Sequence, residues 1–123
     1  MIPYSNAYEL FFLLIAGHAI ADFGIQSEFV ATNKNRHARS RFSTEAQSKM
    51  QVIWPHLLMA HCLHHSFFVI LLTGSYKAAL AEFFAHIITD FGKCENWYGF
   101  HADQAVHIVT KVLWTYCIVS GIF

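Results

Sequence analysis

Long apolar segments are the feature of this sequence that most restricts its fold. Four of them follow one another along the chain, at about residues 7–30, 51–73, 76–93 and 102–123. A helix rises ~1.5 Å per residue, so about 20 residues cross the ~30 Å hydrocarbon layer of a bilayer. The 123 residues are 55% hydrophobic and 13% charged, far from the soluble average. The pattern predicts an all-α, single-domain integral membrane protein, a bundle of four antiparallel transmembrane helices with the lipid bilayer as its partner.

Charged residues weaken the third and fourth segments as membrane spans. Glu82 and Asp90 interrupt the third segment, and Lys111 interrupts the fourth. A soluble all-helical bundle with a buried polar core therefore stays open as an alternative.

Basic residues are concentrated in one connection, the predicted loop over residues 31–50. This loop offers no apolar face and contains a single acid, Glu45. Because loops rich in Lys and Arg stay on the cytoplasmic side, we expect a bacterial cytoplasmic (inner) membrane protein with this loop in the cytoplasm. The net charge is zero with histidine neutral, which provides no basic surface for nucleic acid. The basic residues of the loop are Lys34, Arg36, Arg39, Arg41 and Lys49.

Three pairs of histidine and aspartate recur at a spacing of four residues. The pairs are His18 with Asp22, His86 with Asp90, and Asp103 with His107. Side chains four residues apart share one helix face. The reversed order in the fourth segment matches its opposite direction through the membrane, so the aspartate of every pair lies nearer the basic face. The second segment adds His61 and His65, and the four helices are predicted to enclose one buried His/Asp cluster.

A metal centre is the leading interpretation of this cluster. A charge at the centre of a membrane helix costs ~2.5–3.5 kcal/mol on insertion scales, so intramembrane aspartates require a partner. Imidazole and carboxylate together suit Zn, Mn or Fe better than Ca or Mg, and helical bundles hold such ions between facing helices. The predicted cofactor is a divalent metal, with Zn first, and its candidate ligands are His18, Asp22, His61, His65, His86, Asp90, Asp103 and His107.

Other polar residues within one helical turn of the pairs extend the predicted site. Gln26, Lys93 and Gln104 are expected to support the ligands or to contact an anionic lipid headgroup. Lys93 is the most suggestive of the three for such a substrate contact, and Asp103 is the candidate general base. Hydrolysis of a lipid-linked ester or phosphoester would follow if a bound water lost its proton.

Two other uses of the polar residues stay open. The pairs could be structural, with side chains hydrogen-bonded across helices at ~0.6 kcal/mol each on average and no metal bound. They could instead relay protons or ions, as intramembrane Asp and His residues often do. A chain of this size would need to form a homo-oligomer for transport.

Four stretches of the sequence resemble a bacterial and phage family of small membrane proteins known as DUF3307. The stretches are HAIADFGIQ (18–26) with the later Lys34, the histidines around His61, HIITDFGK (86–93) and DQAVH (103–107). The resemblance spans nearly the whole chain, although residues 35–51 are less typical. That family is in turn similar to proteins described as predicted membrane-bound metal-dependent hydrolases. The resemblance implies a membrane fold with a metal site and names no substrate.

Two functions from different classes are therefore expected. The first is a metal-dependent hydrolase that acts on a lipid or a lipid-linked substrate. The second is a non-enzymatic, phage-encoded membrane protein that binds a host membrane partner and uses its polar core for assembly only.

Overall fold

Among the described residues, five α-helices and one π-helical turn make up the regular structure. A computed structural model describes the backbone of residues 4–38 and 44–123, with side chains placed over 4–38 and 53–123. Within these ranges the chain forms helices and turns without a strand, which confirms the all-α prediction for the described part. The elements are α1 (Ala7–Ala19), the π-helical turn (Ile20–Ile25), α2 (Glu28–Asn33), α3 (Thr44–Thr73), α4 (Tyr76–Cys94) and α5 (Phe100–Val119).

The first apolar segment does not form one continuous helix over 7–30. After the π-helical turn, Gln26 adopts an extended backbone conformation with ψ 109°. The hydroxyl oxygen of Ser27 then accepts a hydrogen bond from the Val30 backbone N–H (3.3 Å) and begins α2. Serine is among the preferred residues at a helix N-terminus because its side chain satisfies such free N–H groups. The chain therefore turns at Gln26 and starts a separate short helix.

The predicted basic loop, 31–50, is helical at both of its ends. Its first residues belong to α2, and α3 already starts at Thr44. The stretch 44–50 reads TEAQSKM, in which Glu, Ala, Gln, Lys and Met all have high helix propensity. The helix therefore extends beyond the apolar segment, because apolarity indicates what a membrane would cover and propensity decides where a helix begins. Arg39 and Arg41 lie outside the described residues.

The long helices pack as neighbours in a bundle. A tight turn joins α3 to α4 at Gly74, whose φ of +73° favours glycine. The hydroxyl oxygen of Ser75 caps α4 by accepting the Ala78 backbone N–H (3.2 Å). α1 packs against both α3 and α5. Gly17 allows the close approach of α1 to α3, since a Cβ at this position would lie 3.1 Å from Leu72 Cδ1.

The interior is apolar at one end of the bundle and polar at the other. The apolar end lies beside the turn between α3 and α4 and contains Leu10, Leu14, Val69, Leu72, Ala78, Ala79 and Trp114. The opposite end buries histidines, aspartates and lysines instead. Here Arg36 donates to both carboxylate oxygens of Glu95 (2.6 and 2.7 Å), which ties the end of α2 to the end of α4. These Arg36 hydrogen bonds hold the pKa of Glu95 below its usual range.

The outer surface of every long helix carries exposed apolar side chains. Examples, one each from α1, α3, α4 and α5, are Phe12 (70% exposed), Phe67 (58%), Phe84 (56%) and Val109 (65%). Two helical stretches of the described chain are long and apolar enough to cross a membrane, Ala7–Ile25 and Ile53–Thr73. The helices α4 and α5 are not among them, since α4 carries four charged residues and both place polar side chains along their buried face.

Candidate metal centre

The structure brings all eight predicted metal ligands together at the polar end of the bundle. Seven of them have exposed fractions of 5% or less, and Asp22 is partly buried. His56 and His64 lie on the exposed surface of α3 and do not join the cluster. By element, the eight are His18 and Asp22 from α1 and the π-helical turn, His61 and His65 from α3, His86 and Asp90 from α4, and Asp103 and His107 from α5.

One half of the cluster is organised around Asp22. Its Oδ1 lies 3.1 Å from His65 Nε2 and 3.3 Å from His61 Nε2. Its Oδ2 lies 3.4 Å from His18 Nε2 and accepts a hydrogen bond from Gln104 Nε2 (3.0 Å). Three histidines from two helices therefore direct their Nε2 atoms at one carboxylate. Gln104, which the sequence predicted as a supporting residue, lies beside it.

The other half is organised around Asp90 and Asp103. His107 Nε2 lies 3.5 Å from Asp90 Oδ1 and 3.4 Å from Asp103 Oδ1. His86 Nε2 lies 3.7 Å from Asp90 Oδ1, and His61 Nε2 lies 3.3 Å from Asp90 Oδ2. His61 thus contacts carboxylates of both halves, so the two halves form one continuous site.

His86 lies between the two halves. Its ring stacks on His65 with centroids 3.6 Å apart and on His107 with centroids 4.2 Å apart. His86 Nε2 also faces His61 Nε2 at 3.3 Å. A neutral imidazole carries one N–H, so at most one of these facing nitrogens donates to the other. The arrangement equally suits two lone pairs directed at a shared cation.

The buried histidines and aspartates could hold a metal ion. Three sets of donors each have all their ligand atoms within 4.8 Å of one another. Each set has at least the three protein ligands that a catalytic zinc site uses. The sets are Asp22 with His61, His65 and His86; His18 with His86 and His107; and Asp90 with Asp103 and His107.

Many of the separations within the cluster are compatible with metal coordination as well as with hydrogen bonding. N–H···O bonds in proteins are most often about 2.9–3.0 Å long. The His–Asp separations here are 3.1–3.7 Å. Ligand atoms about 2.0–2.2 Å from a tetrahedral Zn²⁺ lie about 3.3–3.6 Å from one another. A cation could therefore be bound among these atoms with little movement of the side chains.

Several buried polar atoms of the cluster form no hydrogen bond within the described part of the chain. Each such atom costs about 1–3 kcal/mol, so a network that serves stability alone rarely leaves several of them. Asp103 Oδ1 and His107 Nε2 are two such atoms, and both face the aspartates and histidines of the other helices. A cation would satisfy their lone pairs. The complete set is His18 Nδ1, His61 Nδ1, His65 Nδ1, Asp103 Oδ1 and His107 Nε2.

Two lysines contact the cluster, one from the end of α2 and one from the last turn of α4. Lys93 Nζ donates to Asp103 Oδ2 (2.7 Å), in agreement with its predicted place beside the site. Lys34 Nζ donates to Asp90 and to Gln26 Oε1 (2.9 Å). Lys34 was expected in the exposed basic loop, but its side chain is buried. The short helix α2 folds back onto α3 and carries Lys34 inward to the carboxylate.

Glu82 and Lys111 form a buried ion pair behind the cluster, which the sequence motifs did not include in the site. Lys111 Nζ donates to Glu82 Oε1 and Trp114 Nε1 donates to Oε2, both at 2.6 Å. His86 Nδ1 lies 3.3 Å from Glu82 Oε1. Both residues could have been found from the spacing of four residues. Glu82 precedes His86 by four positions, and Lys111 follows His107 by four. The pattern of the Asp/His pairs thus continues for one more turn in α4 and in α5.

The chain matches no protein-family model, no curated protein and no solved structure.

Proposed function

We propose that this chain is a membrane-embedded, metal-dependent hydrolase that acts on a lipid or a lipid-linked substrate. The observation that carries the proposal is the His–Asp spacing of 3.1–3.7 Å among buried side chains, which suits a divalent cation. Imidazole with carboxylate favours Zn, with Mn and Fe as alternatives. A bound divalent ion would polarise the substrate ester and activate a water molecule.

The number of donors supports two ions, one in each half of the cluster. A catalytic zinc site uses three protein ligands and leaves one position open. Asp22, His61 and His65 provide three donors on one side. Asp90, Asp103 and His107 provide three on the other, with His18 and His86 between the halves. Two-metal sites of this kind are common in enzymes that cleave phosphoesters.

Asp103 and Lys93 are the residues that we assign to the reaction itself. Asp103 Oδ2 accepts a hydrogen bond from Lys93, while its Oδ1 has no hydrogen-bond partner in the described chain. In the proposed reaction the Asp103 carboxylate, which has lone pairs beyond those that would be used for Lys93 and an ion, accepts a proton from the attacking water, and that proton passes to the leaving oxygen when the ester bond breaks. Lys93, with a side chain 31% exposed, is within reach of an anionic oxygen of the substrate.

The distribution of polarity supports a membrane location with four spans. Charged and polar side chains fill one end of the interior, while phenylalanine, leucine and valine side chains of all four long helices face outward. A soluble bundle has the opposite arrangement. We propose the bacterial cytoplasmic membrane, with the basic segment 31–50 in the cytoplasm according to the positive-inside rule. The lipid bilayer is then the main partner, and assembly into a homo-oligomer stays a prediction.

The proposal agrees with the resemblance to DUF3307 and to predicted membrane-bound metal-dependent hydrolases. The motif residues His18, Asp22, His86 and Asp90 all lie in the cluster. Lys34, which belongs to the same resemblance, contacts Asp90. Membership of that family, and a phage origin, stay predictions.

Elemental analysis of the detergent-purified protein tests the metal centre without knowledge of the substrate. We expect stoichiometric Zn, Mn or Fe in the wild type and loss of most of that metal in His86→Ala and Asp90→Asn. Asn has the volume of Asp, which limits the effect on folding. His64→Ala is the matched control, because His64 is an exposed histidine of the same bundle, and it should keep the metal.

Activity is screened only with protein that carries metal. Release of fatty acid or phosphate from lipid substrates should require the metal and should fall in Asp103→Asn. A wild type that is folded and metal-free after metal loading would exclude the metal centre. It would leave the cluster as a structural or proton-relaying network.

A further inference from the structure

A cavity of about 410 Å³ lies beside the cluster, between α2 and the start of α5. Its volume is in the range of small-molecule sites, about 300–1,000 Å³. Lys34, Lys93 and Gln26 line it on the side of the cluster, and Asn35 and Phe100 line it elsewhere. The cavity thus lies at the end of the bundle that carries the basic residues, and its two lysines separate it from the carboxylates of the cluster.

Both lysines of the cavity also contact the cluster. Lys93 Nζ bonds to Asp103 Oδ2 (2.7 Å) and lies 5.1 Å from the centre of the Phe100 ring. Lys34 Nζ bonds to Asp90 and to Gln26. The two ammonium groups come from different elements, so they reach the cavity from separate directions. Each is held by a carboxylate that belongs to a candidate metal-binding set.

A bound divalent cation would change the sign of the net charge in this region. With the histidines neutral, the carboxylates of Asp22, Asp90 and Asp103 and the ammonium groups of Lys34 and Lys93 leave one net negative charge. One divalent cation converts this to one net positive charge, and two cations make the region more positive. The carboxylates would then interact with the metal, and each lysine ammonium group would have N–H donors without an acceptor on the side of the cavity. An anion in the cavity would restore the balance.

We infer that the cavity binds a phosphate group, with Lys34 and Lys93 each donating to a non-bridging oxygen. This inference rests on the proposed metal centre and names the class of its substrate, a phosphate ester. A phosphate dianion suits two ammonium groups beside a divalent ion, whereas a carboxylate offers a single charge. The position of the cavity, at the basic end of the bundle, is the level of lipid headgroups in the proposed membrane orientation. The phosphate comes either from a lipid headgroup or from a soluble phosphate.

Calorimetric titration of the metal-loaded protein in detergent tests this inference with two probes, inorganic phosphate and a short-chain phosphatidate. We expect saturable binding of phosphate that becomes at least about tenfold weaker in Lys93→Met and in Lys34→Met, because each loses one charge-assisted hydrogen bond. Lys77→Met is the matched control, since Lys77 is exposed at the opposite end of α4 and should bind phosphate like the wild type. Lys93 is partly exposed, so its substitution should leave the fold intact. Phosphatidate that binds more tightly than inorganic phosphate identifies a lipid source, and equal affinities identify a soluble one.

The metal content of each sample separates this inference from the proposed function. Stoichiometric metal in all samples, with the phosphate affinity unchanged in both lysine variants, would overturn the phosphate site and leave the metal centre standing. A metal-free wild type that binds phosphate through both lysines would overturn the hydrolase and the role of the metal in phosphate binding, and would leave an anion site alone. A wild type that binds neither metal nor phosphate would overturn both.

Discussion

At the scale of single residues, Glu82 connects the cluster to the rest of the interior. Its carboxylate accepts hydrogen bonds from Lys111 and Trp114, and His86 Nδ1 lies 3.3 Å away. When Nδ1 of His86 carries the proton and donates a hydrogen bond to Glu82, the Nε2 lone pair is directed at the cluster. Glu82 therefore neutralises a buried lysine and also sets the orientation of a candidate ligand.

Removal of one charge of the Glu82–Lys111 pair should lower the free energy of unfolding more than removal of both charges. Lys111→Met leaves the Glu82 carboxylate, 1% exposed, without its charged partner, and we expect a loss of about 3–5 kcal/mol in the free energy of unfolding. The double variant Lys111→Met/Glu82→Gln has neither charge and similar side-chain volumes, so it should recover most of that loss. Chemical unfolding of the metal-free protein in detergent measures both values. Equal instability of the single and double variants would show that the charges are not coupled.

The same double variant tests how Glu82 positions His86. A glutamine oxygen is a weaker acceptor for the His86 Nδ1–H than a carboxylate, so the affinity for Zn²⁺ should fall about 10–100-fold. Competition with a chelating dye measures this affinity. An unchanged affinity in a stable double variant would restrict Glu82 to its ion pair with Lys111.

The candidate ligands were predictable from the sequence because a spacing of four residues fixes two side chains on one helix face. The pair of His86 and Asp90 illustrates this, since helix formation alone aligns them. The partnership of Glu82 with Lys111 depends on how α4 is rotated and offset against α5, and periodicity within one helix does not specify either. The contact of Lys34 with Asp90, 56 positions apart, likewise depends on the fold-back of α2.

At the scale of elements, the link between α4 and α5 packs back onto the end of α4. The Trp97 backbone N–H donates to the Gly92 carbonyl oxygen (3.0 Å). A Cβ at Gly92 would lie 2.7 Å from the Tyr98 hydroxyl oxygen and 2.9 Å from Trp97 Cε3. The absence of a side chain at Gly92 therefore lets the link fold tightly and brings Asp103 within hydrogen-bond distance of Lys93.

Gly92→Ala should destabilise the protein although alanine is the better helix former. The helix-propensity gain is ~1 kcal/mol, while overpacking against two aromatic rings costs about 1–3 kcal/mol, so we expect a net loss or no gain. Gly99→Ala is the matched control, because nothing lies within 4 Å of its Cβ position and its φ of −87° suits alanine. Thermal unfolding in detergent compares the two variants. A Gly92→Ala protein more stable than Gly99→Ala would contradict the packing of the link.

The boundaries of the elements were less predictable than their existence. Apolar length located the long helices, but the turn at Gln26 depends on a single serine cap at Ser27. The start of α3 at Thr44 depends on helix propensity in a polar stretch. Both effects are local and have little to do with hydropathy, so a prediction based on apolar segments places the ends of helices in the wrong positions.

At the scale of the whole molecule, buried charges are combined with an apolar exterior. The charged residues of α4 and α5 that face inward, among them Glu82, Asp90 and Lys111, are almost completely buried. The outward faces of the same helices carry Phe84 and Val109. Lipid would contact only these outer faces, whereas the mean hydropathy of a helix includes its buried residues as well. This difference explains why two of the four proposed spans meet the criterion of length and apolarity.

Cysteine labelling in bacterial cells should reveal the proposed orientation. Lys77 and His101 are exposed at opposite ends of the bundle, near the start of α4 and the start of α5. In a background in which the three buried native cysteines are replaced by alanine, an impermeant maleimide should label Lys77→Cys in intact spheroplasts. It should label His101→Cys only after the membrane is permeabilised, because the basic end faces the cytoplasm. The reverse labelling pattern would show that the orientation is inverted. If both sites are protected in intact spheroplasts and alkaline carbonate releases the protein from membranes, the chain is a soluble bundle.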